Sequence, residues 1–424
     1  MVTNRKRLFS NFFSLGIVQG TNYLLPILIT PYVIKRVGAD GFGIIAVTQV
    51  IMMFLMNISD YGFNLTATRD VSQNRENTDK LSKIFYTVLI TKLMIVTVLL
   101  AGLLLVLGLV PGLRHFTTLY LLSFVSVIGQ SLLMNWLYQG IEKMKMVLYI
   151  SLFARLVFVA LVLLFIRQRS DYIYFIFFTG LGNVLAGGFS ILMAIRQLRL
   201  KVILPSKQDI LAELKNGWHI MTASLAVSSY VYINVLVLRL FTSDTVVGYY
   251  SVAEKIITAA RQILSVYFQA IYPQVCRVVL AGKREILHFF RNYFLPFLGL
   301  VFLGGLFLLL FSRFVIGIFL TEHQELSALY LRIMCFAPFV ICLNIPFYQI
   351  LIALDEKKAL FAVFISGTII NLILNMLIVK AWGPIGTCLI IDITECLVTG
   401  GLFAMVMVNP KLGILKHLRS QPRT

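Results

Sequence analysis

Acidic residues are scarce in this chain. Asp and Glu number 18 against 37 Lys and Arg, which leaves a formal net charge of +19 over 424 residues. Charged residues of both signs make up only 13% of the sequence, about half the share found in soluble domains. That is too little charge to coat a water-soluble particle. Histidine is rarer still, with 5 in the chain, and no second His stands at ligand spacing from His219, which speaks against a His-based metal site. The cysteines are Cys276, Cys335, Cys342, Cys388 and Cys396. None makes a CxxC pair and most lie in apolar runs, so they read as small buried hydrophobes, not a disulfide framework. The Gly-x4-Gly-Lys-Ser/Thr loop is missing; Gly282-Lys283 lacks both the upstream Gly and the hydroxyl, so ATP hydrolysis by this chain is not expected. Gly180-Leu-Gly182 and Gly187-Gly188 follow no strand and read as close helix packing, not a dinucleotide cradle. The basic residues are scattered through short loops, so nucleic acid is not a partner.

What the chain has is apolar length. Hydrophobic residues reach 59%, with a mean hydropathy of +0.89. Runs long enough to cross a bilayer fall at 11–34, 42–63, 84–108, 118–139, 147–166 and 172–195, then at 217–240, 246–272, 294–320, 328–352, 360–379 and 385–408. The expected fold is an all-α integral membrane protein of about twelve transmembrane helices. Arg5-Lys6-Arg7 ahead of an apolar run mimics a secretory leader. The run from Phe12 to Val33 is too long for one and lacks a small-residue cleavage site, so it is read as a retained first span.

Loop charges alternate across these spans. One set of loops carries Arg69, Arg75, Lys80, Lys83, Lys143, Lys145, Arg196, Arg199, Lys201, Lys207, Lys215 and further cations through both termini. The opposite set has few: Lys35, Arg36, Arg114, Arg167, Arg169, Arg239 and Lys380, with Arg313 and Arg332 near span ends. The asymmetry puts both termini in the cytoplasm. Arg167 and Arg169 are a local exception to it.

The chain also repeats itself. Gly140-Ile-Glu-Lys-Met-Lys145 follows the fourth span, and Ala353-Leu-Asp-Glu-Lys-Lys358 follows the tenth. Arg36 and Gly41-Phe-Gly43 follow the first span; Arg239 and Gly248-Tyr-Tyr250 follow the seventh. An offset of six spans preserves orientation, so this is a parallel internal repeat of two six-helix lobes, residues 1–205 and 206–424, joined by the basic gap from Arg196 to Asn216. In parallel-repeat transporters the substrate site lies near the midplane, between lobes.

Ionisable groups at membrane depth are the strongest functional indication, because bare charge in hydrocarbon is costly. Between Val246 and Tyr272, residues Ser251, Glu254, Thr258, Arg261 and Ser265 share one helical stripe, widened by Lys255, Gln262 and Gln269. The other face is Val252, Ile256, Ile257, Ile263 and Tyr267, which reads as a helix with a wet face and an oily face. Lys92 and Arg155 add two more intramembrane cations. Together with Lys255 and Arg261 they form a candidate anion seat; structural pairing with Glu254, Asp392 and Glu395 is the alternative. Asp392 and Glu395 share a face of the last span, and a carboxylate pair there could load a proton or Na⁺. Asp60 and Glu254 join them as candidate ion-coupling residues. Gln19, Asn22, Pro26 and Thr30 lie on roughly one face of the first span, where Gln19 and Asn22 are candidate sugar contacts or helix glue. Thr222, Ser224, Ser228, Ser229, Tyr232 and Asn234 play either part in the seventh. Pro26 and Pro31 bend the first span.

In order and spacing, several segments resemble one family. They are Gln19-x2-Asn22-x3-Pro26-x4-Pro31-Tyr32 with Arg36-Val-Gly38-Ala-Asp-Gly41-Phe-Gly43, Asp60-Tyr-Gly62-Phe-Asn64 with Arg69 and Arg75, and Val247-Gly248-Tyr-Tyr-Ser251-Val-Ala253-Glu254-Lys255. The chain is similar to the O-antigen and polysaccharide flippases, a branch of the multidrug, oligosaccharidyl-lipid and polysaccharide exporters. The resemblance implies a V-shaped central cavity and an undecaprenyl-diphosphate-linked sugar repeat unit carried from inner to outer leaflet. It implies coupling to H⁺ or Na⁺ with no other cofactor, and no catalysis. It further implies a bacterial inner-membrane site beside membrane lipids and other polysaccharide-assembly proteins. A multidrug antiporter of the same superfamily is the nearest alternative; excess intramembrane Lys and Arg argue against it. A membrane polysaccharide polymerase or ligase would need a sizeable outer loop, whereas the longest polar segments here lie on the predicted cytoplasmic side.

Overall fold

A computed structural model of the chain describes residues 2–281, 285, 288–354 and 356–409, and within these the side chains of 2–19, 22–24, 269, 270, 273, 276, 277, 279–281, 290, 353 and 357 lie outside the description. Among the described residues the regular structure is all helical. A backbone with no water to bond must satisfy itself within each segment, and the helix does so.

The helices are α1 (Val2–Asp60), α2 (Phe63–Asn74), α3 (Thr78–Leu109), α4 (Thr117–Leu132), α5 (Asn135–Gly140), α6 (Met144–Phe165) and α7 (Tyr172–Leu198). They continue with α8 (Lys207–Phe241), α9 (Asp244–Ala281), α10 (Leu295–Leu310), α11 (Ser312–Phe319), α12 (Gln324–Met334), α13 (Ala337–Ala353) and α14 (Lys357–Val408). Nine described stretches are long and apolar enough to cross a membrane. Two of these, Leu25–Asn74 and Lys358–Val408, run to about 50 residues, twice what one crossing needs. Each is broken at a glycine in the left-handed region, Gly38 (φ 78°) and Gly383 (φ 53°), where a side chain would be strained. Each therefore supplies two passes. α9, 38 residues long, holds the span expected at 246–272 and completes the twelve.

The chain forms two compact units, one up to Ser228 and one from Ser229. In the first, glycines let α7 lie close on its neighbours. A Cβ at Gly180 would strike the backbone of Ser126, one at Gly182 would sit 2.5 Å from the Ala154 carbonyl, and one at Gly187 would sit 2.6 Å from Leu132 Cβ. The pattern expected of Gly180, Gly182 and Gly187 is thus met, while Gly188 faces open space. Phe63, Phe85, Trp136, Leu137 and Tyr138 are fully buried beside these contacts, and the Tyr138 hydroxyl donates to the Ser190 carbonyl at 2.9 Å.

The basic gap at Arg196–Asn216 is shorter as a loop than its composition suggests. α7 runs to Leu198 and α8 starts at Lys207, because Ser206 and Asp209 cap it: the Ser206 hydroxyl donates to Asp209 at 2.8 Å and accepts the Asp209 amide at 3.2 Å. Lys83 pairs with Asp209 at 2.8 Å. The start of α8 packs in the first unit, where Tyr61 and Gly62 adopt left-handed φ of 49° and 84°. Gly217 meets Tyr61, a Cβ at Gly62 would lie 2.7 Å from Ile220, and Asn57 donates to the Ser228 hydroxyl at 2.7 Å. The boundary between units accordingly falls inside α8, later than the 205/206 division read from the sequence.

In the second unit the two halves of α14 pack through small residues: a Cβ at Gly367 would lie 2.6 Å from Val398, and one at Gly401 3.1 Å from Val363. Gln349 on α13 donates to the Phe268 carbonyl of α9 at 2.7 Å, and Ser327 on α12 to the Tyr249 carbonyl at 2.9 Å.

These contacts give a graded test. Gly187→Leu should destabilise the purified protein by about 1–3 kcal/mol through overpacking, whereas Gly188→Ala should be neutral or slightly stabilising. Thermal unfolding in detergent reads the difference, and equal midpoints for the two variants would refute the packing.

Candidate functional site

Within the second unit, α9 turns Glu254, Thr258 and Arg261 to one side, four and three residues apart. The Thr258 hydroxyl donates to Glu254 at 3.0 Å. Arg261 reaches across to Glu395 on the second half of α14, Nη2 to Oε1 3.3 Å, with side-chain exposures of 19% and 5%. Asp392, one turn before, lies within electrostatic reach of both Arg261 and Glu395, as Glu254 does of Arg261 and Lys255. The Tyr230 hydroxyl of α8 stands beside Glu395. Three carboxylates thus face two cations, and the group is one positive charge short when all are ionised.

Around the charges runs a band of buried amides and hydroxyls. Asn375 donates to Asn234 at 2.6 Å, Thr387 donates to Asn375 at 3.0 Å, and Asn371 donates to Thr394 at 3.3 Å. The band joins α8 to both halves of α14. Buried polar groups in a membrane protein bond across helices in this way because hydrocarbon offers no other partner. Four polar atoms here nevertheless remain buried without a hydrogen-bond partner: Tyr230 Oη, Arg261 Nε, Asn371 Oδ1 and Asp392 Oδ1. Tyr230, Arg261 and Asn371 line a cavity of about 10 Å³, with Asn234, Glu254, Thr258 and Glu395 among its other walls. That is about the space one water needs. The cluster is therefore closed in this conformation: it has room for a water or a small monovalent cation, and none for a sugar.

The sequence-derived candidates separate into groups. Glu254, Lys255, Arg261, Asp392 and Glu395 come together here. Asp60 and Lys92 pair with each other in the first unit at 2.9 Å, with Lys92 2% exposed and its ammonium 5.8 Å from the Phe63 ring centre. Arg155 is half-buried on α6, one turn from Ser151. The side chains of Gln19 and Asn22 lie outside the described residues. The wet and oily faces expected of α9 need revising. Val252 and Ile257 are buried, whereas Ile263 is 64% exposed, because the first half of α9 is packed on both sides and only the second half turns an apolar face outward.

Sequence reasoning missed Tyr230, Asn371, Asn375, Thr387 and Thr394. Asn371 and Asn375 carried a usable sign, two amides one helical turn apart in an otherwise apolar span. The kink at Gly383 that folds Thr387 and Thr394 back onto them had none.

The geometry can be set beside known proteins. The family profile described as polysaccharide biosynthesis protein matches residues 8–279. A protein of Escherichia coli (strain K12) named "Putative O-antigen transporter" is 29% identical over 418 residues, covering 97% of this chain and 99% of its own length. Its namesake in Shigella dysenteriae is 29% identical over 398 residues, with 92% and 97% covered. The fold is similar to that of a multidrug resistance MATE family transporter of the MOP superfamily in an inward-facing conformation, with TM-score 0.70, 13% identity, and 97% of this chain and 100% of that one covered. It is also similar to the lipid II flippase MurJ in an inward closed conformation, with TM-score 0.65, 14% identity, and 99% and 93% covered.

The Arg261–Glu395 pair yields a thermodynamic cycle. Arg261→Gln leaves a buried carboxylate without its cation and should cost about 3–5 kcal/mol. Adding Glu395→Gln should recover much of that loss, and strictly additive costs in thermal unfolding would dismiss the coupling.

Proposed function

The chain belongs to the polysaccharide biosynthesis protein family, and from that premise we propose that it turns an undecaprenyl-diphosphate-linked oligosaccharide repeat unit from the inner to the outer leaflet of a bacterial inner membrane, driven by an ion gradient. It is a transporter rather than an enzyme. Sugars and a diphosphate do not cross oil unaided, so the protein offers polar groups along their path while the lipid tail stays in the bilayer. Lys92, Arg155, Lys255 and Arg261 are the proposed anion contacts, with Gln19 and Asn22 toward the sugars. Arg suits phosphate through its planar fork.

The observation that carries the coupling is the charge count in the second unit: Glu254, Asp392 and Glu395 against Lys255 and Arg261, around space for one water. A proton on one carboxylate, or one Na⁺ among the carboxylates, amides and hydroxyls, brings the group to neutrality. That changes the hold of Arg261 on Glu395, hence of α9 on α14. Loading the ion then favours one arrangement of these helices over another, as any ligand with differential affinity must. Asp60, paired with Lys92, is a second proposed coupling group. Both termini lie in the cytoplasm in this reading, and other polysaccharide-assembly proteins are its neighbours in the membrane.

In a strain lacking this chain, a leaflet-resolved assay should find the lipid-linked repeat unit retained on the inner side; normal outward delivery would remove the flippase reading. Asp392→Asn with Glu395→Gln should abolish the dependence of transport on the ion gradient in well-inserted protein. Coupling that survives both changes would take the ion role away from this pair.

A further inference from the structure

The few cations on the sparsely charged side of the membrane are not spread evenly. Lys35 and Arg36 close the first pass of α1, and Arg167 and Arg169 follow α6; all four are exposed. The fold brings these two distant segments together. The Tyr32 hydroxyl donates to the last carbonyls of α6, Ile166 at 2.9 Å and Leu163 at 3.4 Å. The Arg36 guanidinium stands 5.5 Å from the centre of the Tyr32 ring. Just beyond the Gly38 break, a Cβ at Gly41 would lie 3.3 Å from Tyr172 Cβ, at the start of α7.

The cations of this corner form no ion pair among the described residues. Among the described residues no salt bridge involves Lys35, Arg36, Arg167 or Arg169, although Arg239 and Arg313, read as lying on the same side, pair with Asp244 and Glu325. Two carboxylates are close in sequence. Asp171 is buried and spends one oxygen on the backbone amides of Arg167 and Gln168, 2.9 Å each. Asp40 is exposed, with its Oδ1 turned toward Gly38. Counting both, four cations outweigh two anions. Arg167 gives Nε to the Leu164 carbonyl at 3.0 Å, which leaves its two terminal nitrogens for another acceptor. Leu163, Leu164 and Phe165 beside it are 47–57% exposed, as residues facing lipid at headgroup depth are.

Unpaired cations on this side work against the charge asymmetry that orients a membrane protein, so a topological role does not account for them. We propose that this corner binds the diphosphate of the lipid-linked substrate at the outer membrane surface. The surplus of two positive charges matches a doubly esterified diphosphate, which carries one negative charge on each phosphoryl group, better than the single charge of a phospholipid phosphodiester. Arg forks and a Lys point charge both suit phosphoryl oxygens. The ligand and the sidedness rest on the flippase reading; the cluster of unpaired cations does not.

The test uses the full chain in phosphatidylcholine nanodiscs and a polyprenyl diphosphate carrying a photoreactive group near its diphosphate. Label should land on peptides containing residues 32–41 and 163–172. It should fall by about tenfold when Lys35, Arg36, Arg167 and Arg169 are all changed to Gln, and should return when they are exchanged as Lys35→Arg, Arg36→Lys, Arg167→Lys and Arg169→Lys. Label confined to other peptides of the unaltered chain overturns the proposal, as does undiminished label in the Gln variant. Loss of label on adding phosphatidylglycerol at equal density also overturns it, since the corner would then be a general lipid contact. No transport is measured. Label at the corner together with normal outward delivery in the strain lacking the chain would defeat the flippase reading alone, and the reverse pair of results would defeat this one alone.

Discussion

A charge inside a bilayer has to be answered by another charge or by water, and the arrangement of this chain follows from that requirement. Arg261 could not occupy α9 without Glu395 opposite it, and Glu395 could not stay 3% exposed without Arg261. Their contact at 3.3 Å fixes which faces of α9 and α14 meet. The contact of Gly367 with Val398 sets the two halves of α14 against each other and does not choose the face turned to α9. The Asp60–Lys92 pair does the same for α1 and α3 in the first unit.

The two ion pairs differ in a way that bears on function. Lys92 with Asp60 is a matched pair under a helix break, packed against Phe63, with nothing left over. The group around Arg261 has a surplus carboxylate, partnerless polar atoms and a small void. A matched pair holds the structure in one state until a proton or a substrate anion takes one of its partners, which is the part proposed for Asp60 and Lys92. An unmatched group changes its balance when an ion enters or leaves, and through that its helix contacts, which suits a coupling element.

Much of this was legible in the sequence. Apolar length gave twelve spans, and the glycines of α7 announced close packing. Glu254, Arg261, Asp392 and Glu395 stood out because ionisable residues are rare at that depth. Their partners were less legible. Whether Lys92 faces water or Asp60 depends on how α1 ends at Tyr61 and Gly62, a backbone detail that composition does not encode. The amide band was hidden because Asn and Thr are common enough in spans to pass unnoticed, and only the fold puts Asn375 between Asn234 and Thr387. The start of α8 was hidden for another reason: its polar residues read as a loop, while the Ser206–Asp209 cap makes them helix.

The breaks at Gly38 and Gly383 have a mechanical side. At each, one crossing leads into the next with almost no connecting chain, so the paired crossings have no slack between them. A shift of Asn371 along its axis must be felt at Thr394 and Glu395, because the hinge that joins them can swivel but cannot lengthen. The same economy leaves little peptide protruding at those two corners for a protease or an antibody to grip.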